Sequence, residues 1–249
     1  MDQGVYDVEA RVEAEHWWFC GRRRLFASEL RLLNVGIEAN CLDIGTGTGS
    51  NLRMLRQQGY RNVTGVDLDP LAIRYCLTKG FASVLLAEAT SLPFATAQFD
   101  VVLATDTVEH IEDDRKALHE IYRVLAPGGH VMISVPAFPS LWGLQDDVAH
   151  HKRRYRLADL AQKVRSSGLQ IRRSYYFNFL LFVPIWLARQ FNRIVGIQLA
   201  SENEINSIGL NQLLFGVFSL DVRLAPVLHP PFGVSIMMIG QKTIDTRVL

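Results

Sequence analysis

Two acids and a run of glycines are the first residues that could do chemistry together. Asp43-Ile44-Gly45-Thr46-Gly47-Thr48-Gly49 sets three glycines at alternate positions directly after the apolar stretch Asn40 to Ile44. Glycines there let the backbone approach a ligand and adopt positive φ, and a helix opening at Ser50 favours an anionic group at its N-terminus. Asp67, 18 residues past Gly49, ends a second strand-like stretch, where a carboxylate can accept both hydroxyls of a ribose. Together they read as a site for a nucleoside-bearing cofactor. A dinucleotide loop, G-x-G-x-x-G, would need glycine where Ser50 stands, and pyrophosphate would sit poorly beside Asp43.

Two other clusters carry groups that can move protons or bind anions. Asp106-Thr107-Val108-Glu109-His110 follows the fourth strand-like run, and His110 is a candidate general base, substrate contact or packed core residue. Asp146-Asp147-Val148-Ala149-His150-His151 leads into Lys152-Arg153-Arg154-Tyr155-Arg156, four cations in five positions. That run could grip phosphate, or form a solvated loop salt-bridged to Asp146 and Asp147. His151 is the other candidate base.

The elements that must hold these residues alternate. Strands are expected at about 40–44, 62–67, 83–87, 99–104 and 130–135, with helices opening near Ser50, Pro70 and Asp113. Such alternation implies right-handed βαβ units and a doubly wound parallel sheet. Beyond Pro136 the rhythm loosens into a polar loop from Ser140 to Arg156, a helix from Leu157 and a strand over 169–177. Two apolar helices are expected at 179–195 and 205–224, and a strand over 232–241. We read one domain: a helical arm (1–38), a cofactor-binding core (39–136) and an acceptor side (137–249).

The core resembles the class I S-adenosylmethionine-dependent methyltransferases. The resemblance rests on Leu42-Asp43-Ile44-Gly45-Thr46-Gly47-Thr48-Gly49, Val63-Thr64-Gly65-Val66-Asp67, Ser91-Leu92-Pro93-Phe94, Phe99-Asp100-Val101-Val102 and Leu125-Ala126-Pro127-Gly128-Gly129, in family order. It implies an α/β, Rossmann-like sheet of seven mostly parallel strands, the last antiparallel, with a helical insertion before it. It implies S-adenosyl-L-methionine as cofactor: Gly45, Thr46 and Gly47 around the methionine part, Asp43 on its ammonium, Asp67 on the ribose and Leu68 against adenine. Glu88 would meet the adenine amino group with Ala89 beside it at the cofactor, and Thr105 would lie near the sulfonium. Asp106 to His110 resembles the Glu-x-x-Glu-His stretch of quinone-biosynthesis O-methyltransferases, where the acids and His can hold a divalent metal; Asp replaces Glu at 106, and we assign no metal here.

His16-Trp17-Trp18-Phe19 with Arg22-Arg23 resembles the N-terminal arm of a bacterial methyltransferase subset, and His151-Lys152-Arg153-Arg154-Tyr155 resembles an element of the same subset. Two adjacent indoles on a helix should point different ways, one to the core and one to a cleft. The arm then either caps the cofactor, with Trp18 at the methionine end and Arg23 near its carboxylate, or anchors a packing helix. The implied reaction is O-methylation of a hydrophobic or lipid-linked small molecule. A catalytically inactive binding module and a nucleotide-dependent oxidoreductase remain as alternatives.

Composition sets outer limits. With 26 Lys+Arg against 25 Asp+Glu and a formal charge of +1, the chain has no field to draw nucleic acid, and nucleic acid is not expected as a partner. The N-terminus lacks the basic and apolar regions of a secretory signal, and three unpaired-looking cysteines fit a cytoplasmic protein. The apolar helices of the last third leave three readings open: cover for the sheet or a homodimer seam, a tunnel for a greasy acceptor, or a peripheral membrane surface.

Overall fold

The computed structural model describes residues 3–195 and 208–244. Seven strands form one sheet: β1 (Asn40–Ile44), β2 (Asn62–Asp67), β3 (Val84–Leu86), β4 (Phe99–Thr105), β5 (Leu125–Pro136), β6 (Gln170–Phe177) and β7 (Ser235–Gln241). Their order is β3-β2-β1-β4-β5-β7-β6, and β7 runs antiparallel to both of its neighbours. The strand order reverses at β1, so the crevice beyond the carboxyl ends of β1 and β4 is where this architecture accepts a ligand. The expected α/β, doubly wound, seven-stranded sheet is what forms.

Period-two alternation divides the core between the two faces of the sheet. Val102, Ala104, Val131, Ile133, Ile236 and Met238 point to one face, where α5 (Asp114–Val124) and α7 (Leu157–Ser166) bring Leu118, Ile121, Leu160 and Val164. Cys41, Val101, Leu103, Met132, Met237 and Ile239 point to the other. There they meet α2 (Trp17–Leu32), α3 (Ser50–Gln57), α4 (Pro70–Thr78) and α9 (Ile208–Leu228). The strands are therefore apolar on both sides, as central parallel strands must be. The Ala126–Gly129 run does not end α5 as a separate turn. It bulges inside β5, where Phe99 stands opposite Leu125 but Val101 opposite His130.

Three expectations change. The segment 140–156 is not a plain loop, because α6 (Leu144–Val148) forms within it. Of the two apolar helices, α8 spans Phe182–Val195 with Pro184 in its first turn, while residues 196–207 lie outside the described residues. The adjacent indoles do not diverge: Trp18 stacks on Phe218 at 5.2 Å, and Trp17 meets the same ring edge-on at 5.5 Å. The two side chains take different approaches to one aromatic anchor.

That anchor docks the arm. Phe218 of α9 is fully buried beside Trp17, Trp18 and Phe177, and α2 lies against α9 at Gly21. A second tie is Tyr175 Oη, which donates to the buried Glu29 carboxylate of α2 at 2.7 Å. A Cβ at Gly21 would stand 2.1 Å from a Phe218 ring carbon. Gly21→Ala should therefore lower stability by about 1–3 kcal/mol through overpacking, and Phe218→Leu in the same chain should relieve part of that loss. Urea denaturation of the two single variants and the double variant checks this; additive losses would show that the contact does not dock the helix.

Candidate functional site

A cavity of about 1470 Å³ opens at the carboxyl ends of β1, β2 and β4, between the sheet and the arm. Its floor is the glycine loop. Gly45, Gly47 and Gly49 all have positive φ, and a Cβ at Gly45 would strike the Thr107 side chain at 2.4 Å. At Gly47 nothing lies within 4 Å of such a Cβ, so this backbone faces open space where a ligand can approach it closely. Asp67 locks the loop to β2: its Oδ2 accepts from Gly47 N at 2.8 Å and its Oδ1 from Asp69 N at 3.0 Å. Burial raises the Asp67 carboxyl above its ordinary value, opposed by those backbone bonds.

The sequence-predicted residues separate here. Gly45, Thr46, Gly47, Asp67, Leu68, Glu88, Ala89, Thr105, Trp18, Arg23, His110 and His151 all line the cavity. Asp43 does not. It is fully buried behind the loop, burial pushes its carboxyl up to about 7, and its Oδ1 accepts from Asn51 Nδ2 at 3.0 Å. Asn51 also donates to Thr105 Oγ1 at 2.9 Å and is itself in the cavity wall. The direct ammonium contact given to Asp43 is therefore corrected: Asp43 positions Asn51, whose spacing eight residues on carried no signal in the sequence.

The arm supplies a different arginine from the one expected. Arg23 donates to Glu13 O at 2.6 Å and Ser50 Oγ at 3.1 Å, tying α1 (Gln3–Val12) and α2 to the start of α3. Arg22 instead turns across the cavity and ion-pairs with Asp106, while its guanidinium lies over the Trp18 and Phe26 rings. Its buried Nε has no hydrogen-bond partner among the described residues. α1 completes this wall with Tyr6 and Glu9, and the buried Glu13 takes Thr48, Arg53 and Lys79. None of these had a motif to reveal it.

At the far end lie the two candidate bases. His110 closes the short turn Val108–His110 after β4, and His151 follows α6; their rings meet edge to face at 4.6 Å. Burial, reinforced by His151, lowers His110 to about 4, so its imidazole is neutral at physiological pH. His151 Nδ1 is 2.7 Å from Asp146 Oδ1. Glu109 between them is fully buried and raised well above the usual carboxylate range, first by burial and then by Asp106.

The cation run is not a phosphate clamp. Arg154 forks onto the buried Asp146 at 2.7 and 2.9 Å, Arg153 pairs with Asp114 at 3.0 Å, and Lys152 faces Glu112. Arg156 lies over the Phe138 ring. The run staples α6, α5 and the β5 loop together, and Asp146 orients His151.

Residues 42–133 match the family model described as a methyltransferase domain, which bears out the resemblance drawn from the motifs. The chain is 38% identical over 98 residues to demethylmenaquinone methyltransferase of Thermus thermophilus, covering 37% of this chain and 44% of that protein. It is 36% identical over 120 residues to malonyl-[acyl-carrier protein] O-methyltransferase of Serratia marcescens, covering 47% of each. The chain thus spans under half the length of these relatives. The fold is similar to that of an S-adenosylmethionine-dependent methyltransferase of Thermotoga maritima, with a TM-score of 0.57 at 18% identity over 96% of this chain and 100% of that one.

The Asp146 cluster makes stability depend on acid. Burial alone would raise this carboxyl, but hydrogen bonds from His151 and Arg154 outweigh it and hold it at about 2. A depressed carboxyl stabilises the fold above its unfolded value and loses that contribution as pH falls through the folded value. Urea unfolding between pH ~4 and ~2 should show the native chain losing about 1–2 kcal/mol that Asp146→Asn, already without the charge, does not lose. Parallel pH profiles for the two proteins would contradict this arrangement.

Proposed function

We propose that this chain is an S-adenosylmethionine-dependent methyltransferase that O-methylates a hydrophobic small molecule. The observation that carries the reading is the cradle itself: an open Gly47 backbone, Asp67 fixed at the end of β2 and Arg22 Nε left without a partner in one cavity. These groups suit the three parts of that cofactor. Arg22 would take the carboxylate of the methionine portion, Asn51 and Thr105 its polar neighbourhood, and Asp67 the ribose hydroxyls. Leu68, Glu88 and Ala89 would border the adenine.

The cofactor supplies, when bound, a methyl group on a cationic sulfonium. What the chain adds is placement: holding an acceptor oxygen in line, about 3 Å from that methyl, removes most of the entropic part of the barrier. The acceptor must also lose a proton, and the His110–His151 end of the cavity is where we place that loss. Leu181, Pro184, Ile185, Ala188 and Leu214 line the remaining space and favour an acceptor with an apolar body. The exposed Val183, Leu187 and Phe191 of α8, with Leu210 and Leu213 of α9, would let a lipid-linked acceptor be taken from a membrane surface. No helix of the described residues is long and apolar enough to cross a membrane.

Calorimetry tests the reading. S-adenosylmethionine should bind the native chain and NADH should not, and Asp67→Ala should weaken cofactor binding at least about tenfold, the loss of charge-assisted hydrogen bonds. A native chain that does not bind S-adenosylmethionine sinks the proposal. For the surface, sedimentation with anionic liposomes should carry down the native chain and markedly less of a Leu187→Ser, Phe191→Ser, Leu213→Ser variant; recovery of native protein entirely in the supernatant would remove the membrane arm of the proposal.

A further inference from the structure

We propose that Asn178 is a specificity-determining residue of the acceptor site: its side-chain amide hydrogen-bonds a second hydroxyl of the acceptor, remote from the oxygen that receives the methyl. Asn178 directly follows β6 and opens the turn that leads into α8. It lines the cavity on the wall where Leu181, Pro184 and Ile185 form the apolar extension. Asn178 is only 1% exposed, and its Oδ1 has no hydrogen-bond partner among the described residues. Buried amides are normally satisfied, and an orphaned oxygen in the wall of a ligand cavity calls for a donor from outside the chain.

The backbone alone does not account for an asparagine here. Asn178 has a φ of 58°, in the left-handed region that glycine and asparagine tolerate. Its surroundings hold that conformation. The fully buried Asp221 of α9 accepts from Asn178 N at 2.6 Å and from Leu180 N at 2.8 Å, and Asn178 O accepts from Val234 N at 3.3 Å. Gly233 lets the neighbouring segment pass closely, since a Cβ there would lie 2.4 Å from Phe177 O. None of these contacts uses the Asn178 amide. Glycine would take the same turn without the cost of burying a polar side chain, so the amide needs a partner to explain it.

The sheet order sets how far this amide stands from the methyl-transfer step. β6 lies three strand spacings from β4, across β7 and β5, or roughly 14 Å at about 4.8 Å per spacing. Thr105 and the turn bearing His110 belong to the end of β4. Side chains reaching inward shorten the gap without closing it. A group on Asn178 is therefore a different group from the oxygen that loses its proton near His110.

The chemistry of the wall selects the kind of group. An amide offers N–H donors and a carbonyl acceptor, which suits a hydroxyl, itself both donor and acceptor, and gives a charged group no counter-charge. Ser235, buried and paired with Phe177 across the β6–β7 ladder, adds a hydroxyl to the same wall. Because Asp221 and Gly233 fix the turn, the amide is in place before the acceptor arrives, which lowers the ordering cost of binding. This role for Asn178 rests on the methyl-transfer reading, in which the cavity takes an acceptor beside the cofactor.

Two phenols with the same apolar body provide the test: para-hexylphenol, and its analogue with a hydroxyl at the far end of the hexyl chain. Each is titrated by calorimetry into the full chain loaded with S-adenosylhomocysteine, which fills the cofactor's place without a transferable methyl. The native chain should bind the hydroxylated phenol about three- to tenfold tighter, as expected of one buried hydrogen bond. In Asn178→Gly, which keeps the left-handed turn, that preference should disappear while the urea midpoint stays close to native. A native chain with no preference leaves Oδ1 to a bound water and overturns the proposal. A preference that survives in Asn178→Gly overturns it as well, and a fall in urea midpoint beside it marks the amide as a packing group. S-adenosylmethionine binding to the same native protein keeps the two ideas apart: cofactor binding without a phenol preference defeats the role of Asn178 alone, whereas no cofactor binding defeats the methyl-transfer reading and this role with it.

Discussion

Acidic groups converge on the carboxyl ends of β1, β2 and β4, and holding them together there, two fully buried and two half-buried, is the constraint that shapes the rest of the molecule. Asp43, Asp67, Asp106 and Glu109 stand at or just past those strand ends, close enough for Asp67 to raise Asp43 and for Asp106 to raise Glu109. Each carboxylate left without a partner would be costly. The chain meets this with three kinds of donor: backbone N–H groups of the glycine loop for Asp67, the Asn51 amide for Asp43, and Arg22 for Asp106. The third donor comes from α2, so the arm is an electrostatic part of the crevice and not an appendage to it.

Docking that arm has its own requirement, because an arginine can reach Asp106 only if α2 lies close against the second face of the sheet. Gly21 allows the approach, Phe218 fills the space beside it, and Glu29 accepts from Tyr175 at the other end of the contact. The aromatic residues of the arm, which the sequence leaves between a cofactor cap and a packing anchor, anchor the helix and also line the cavity. Trp17 and Trp18 grip Phe218 and also form cavity wall. Packing and ligand exclusion share the same side chains, so a substitution at Trp18 acts on stability and on the cavity together.

What could be read from the sequence was local. The glycine loop, the acid at the end of β2 and the alternation of strands and helices are each set by residues within a few positions, and all appear as expected. The losses came where partners are distant. Asp43 sits in the loop motif, but its side chain faces the interior, and only the position of Asn51 across α3 shows how it acts. Lys152 to Arg156 leaves two readings open in the sequence, an anion clamp and a loop salt-bridged to Asp146 and Asp147. Arg154 does pair with Asp146, while the acids that face Arg153 and Lys152, Asp114 and Glu112, belong to other elements. Arg22 and Arg23 differ by one helical step of about 100°, which sends one to Asp106 and the other to the Glu13 and Ala14 carbonyls just past α1. Such choices depend on how α2 docks, and no short-range pattern encodes that.

The size of the cavity bears on what the crevice can hold. About 1470 Å³ exceeds the roughly 300–1,000 Å³ that a single small ligand occupies. One end has a fixed carboxylate, an open glycine backbone and an arginine; the other has two imidazoles, a buried glutamate and an apolar extension between α8 and α9. Filling both ends at once expels water from the space between them, and in that drier space the electrostatic effect of every charged group at the strand ends increases. The same burial that makes the clustered acids expensive for the free chain thus makes them effective once two ligands lie across the ends of β1 and β4.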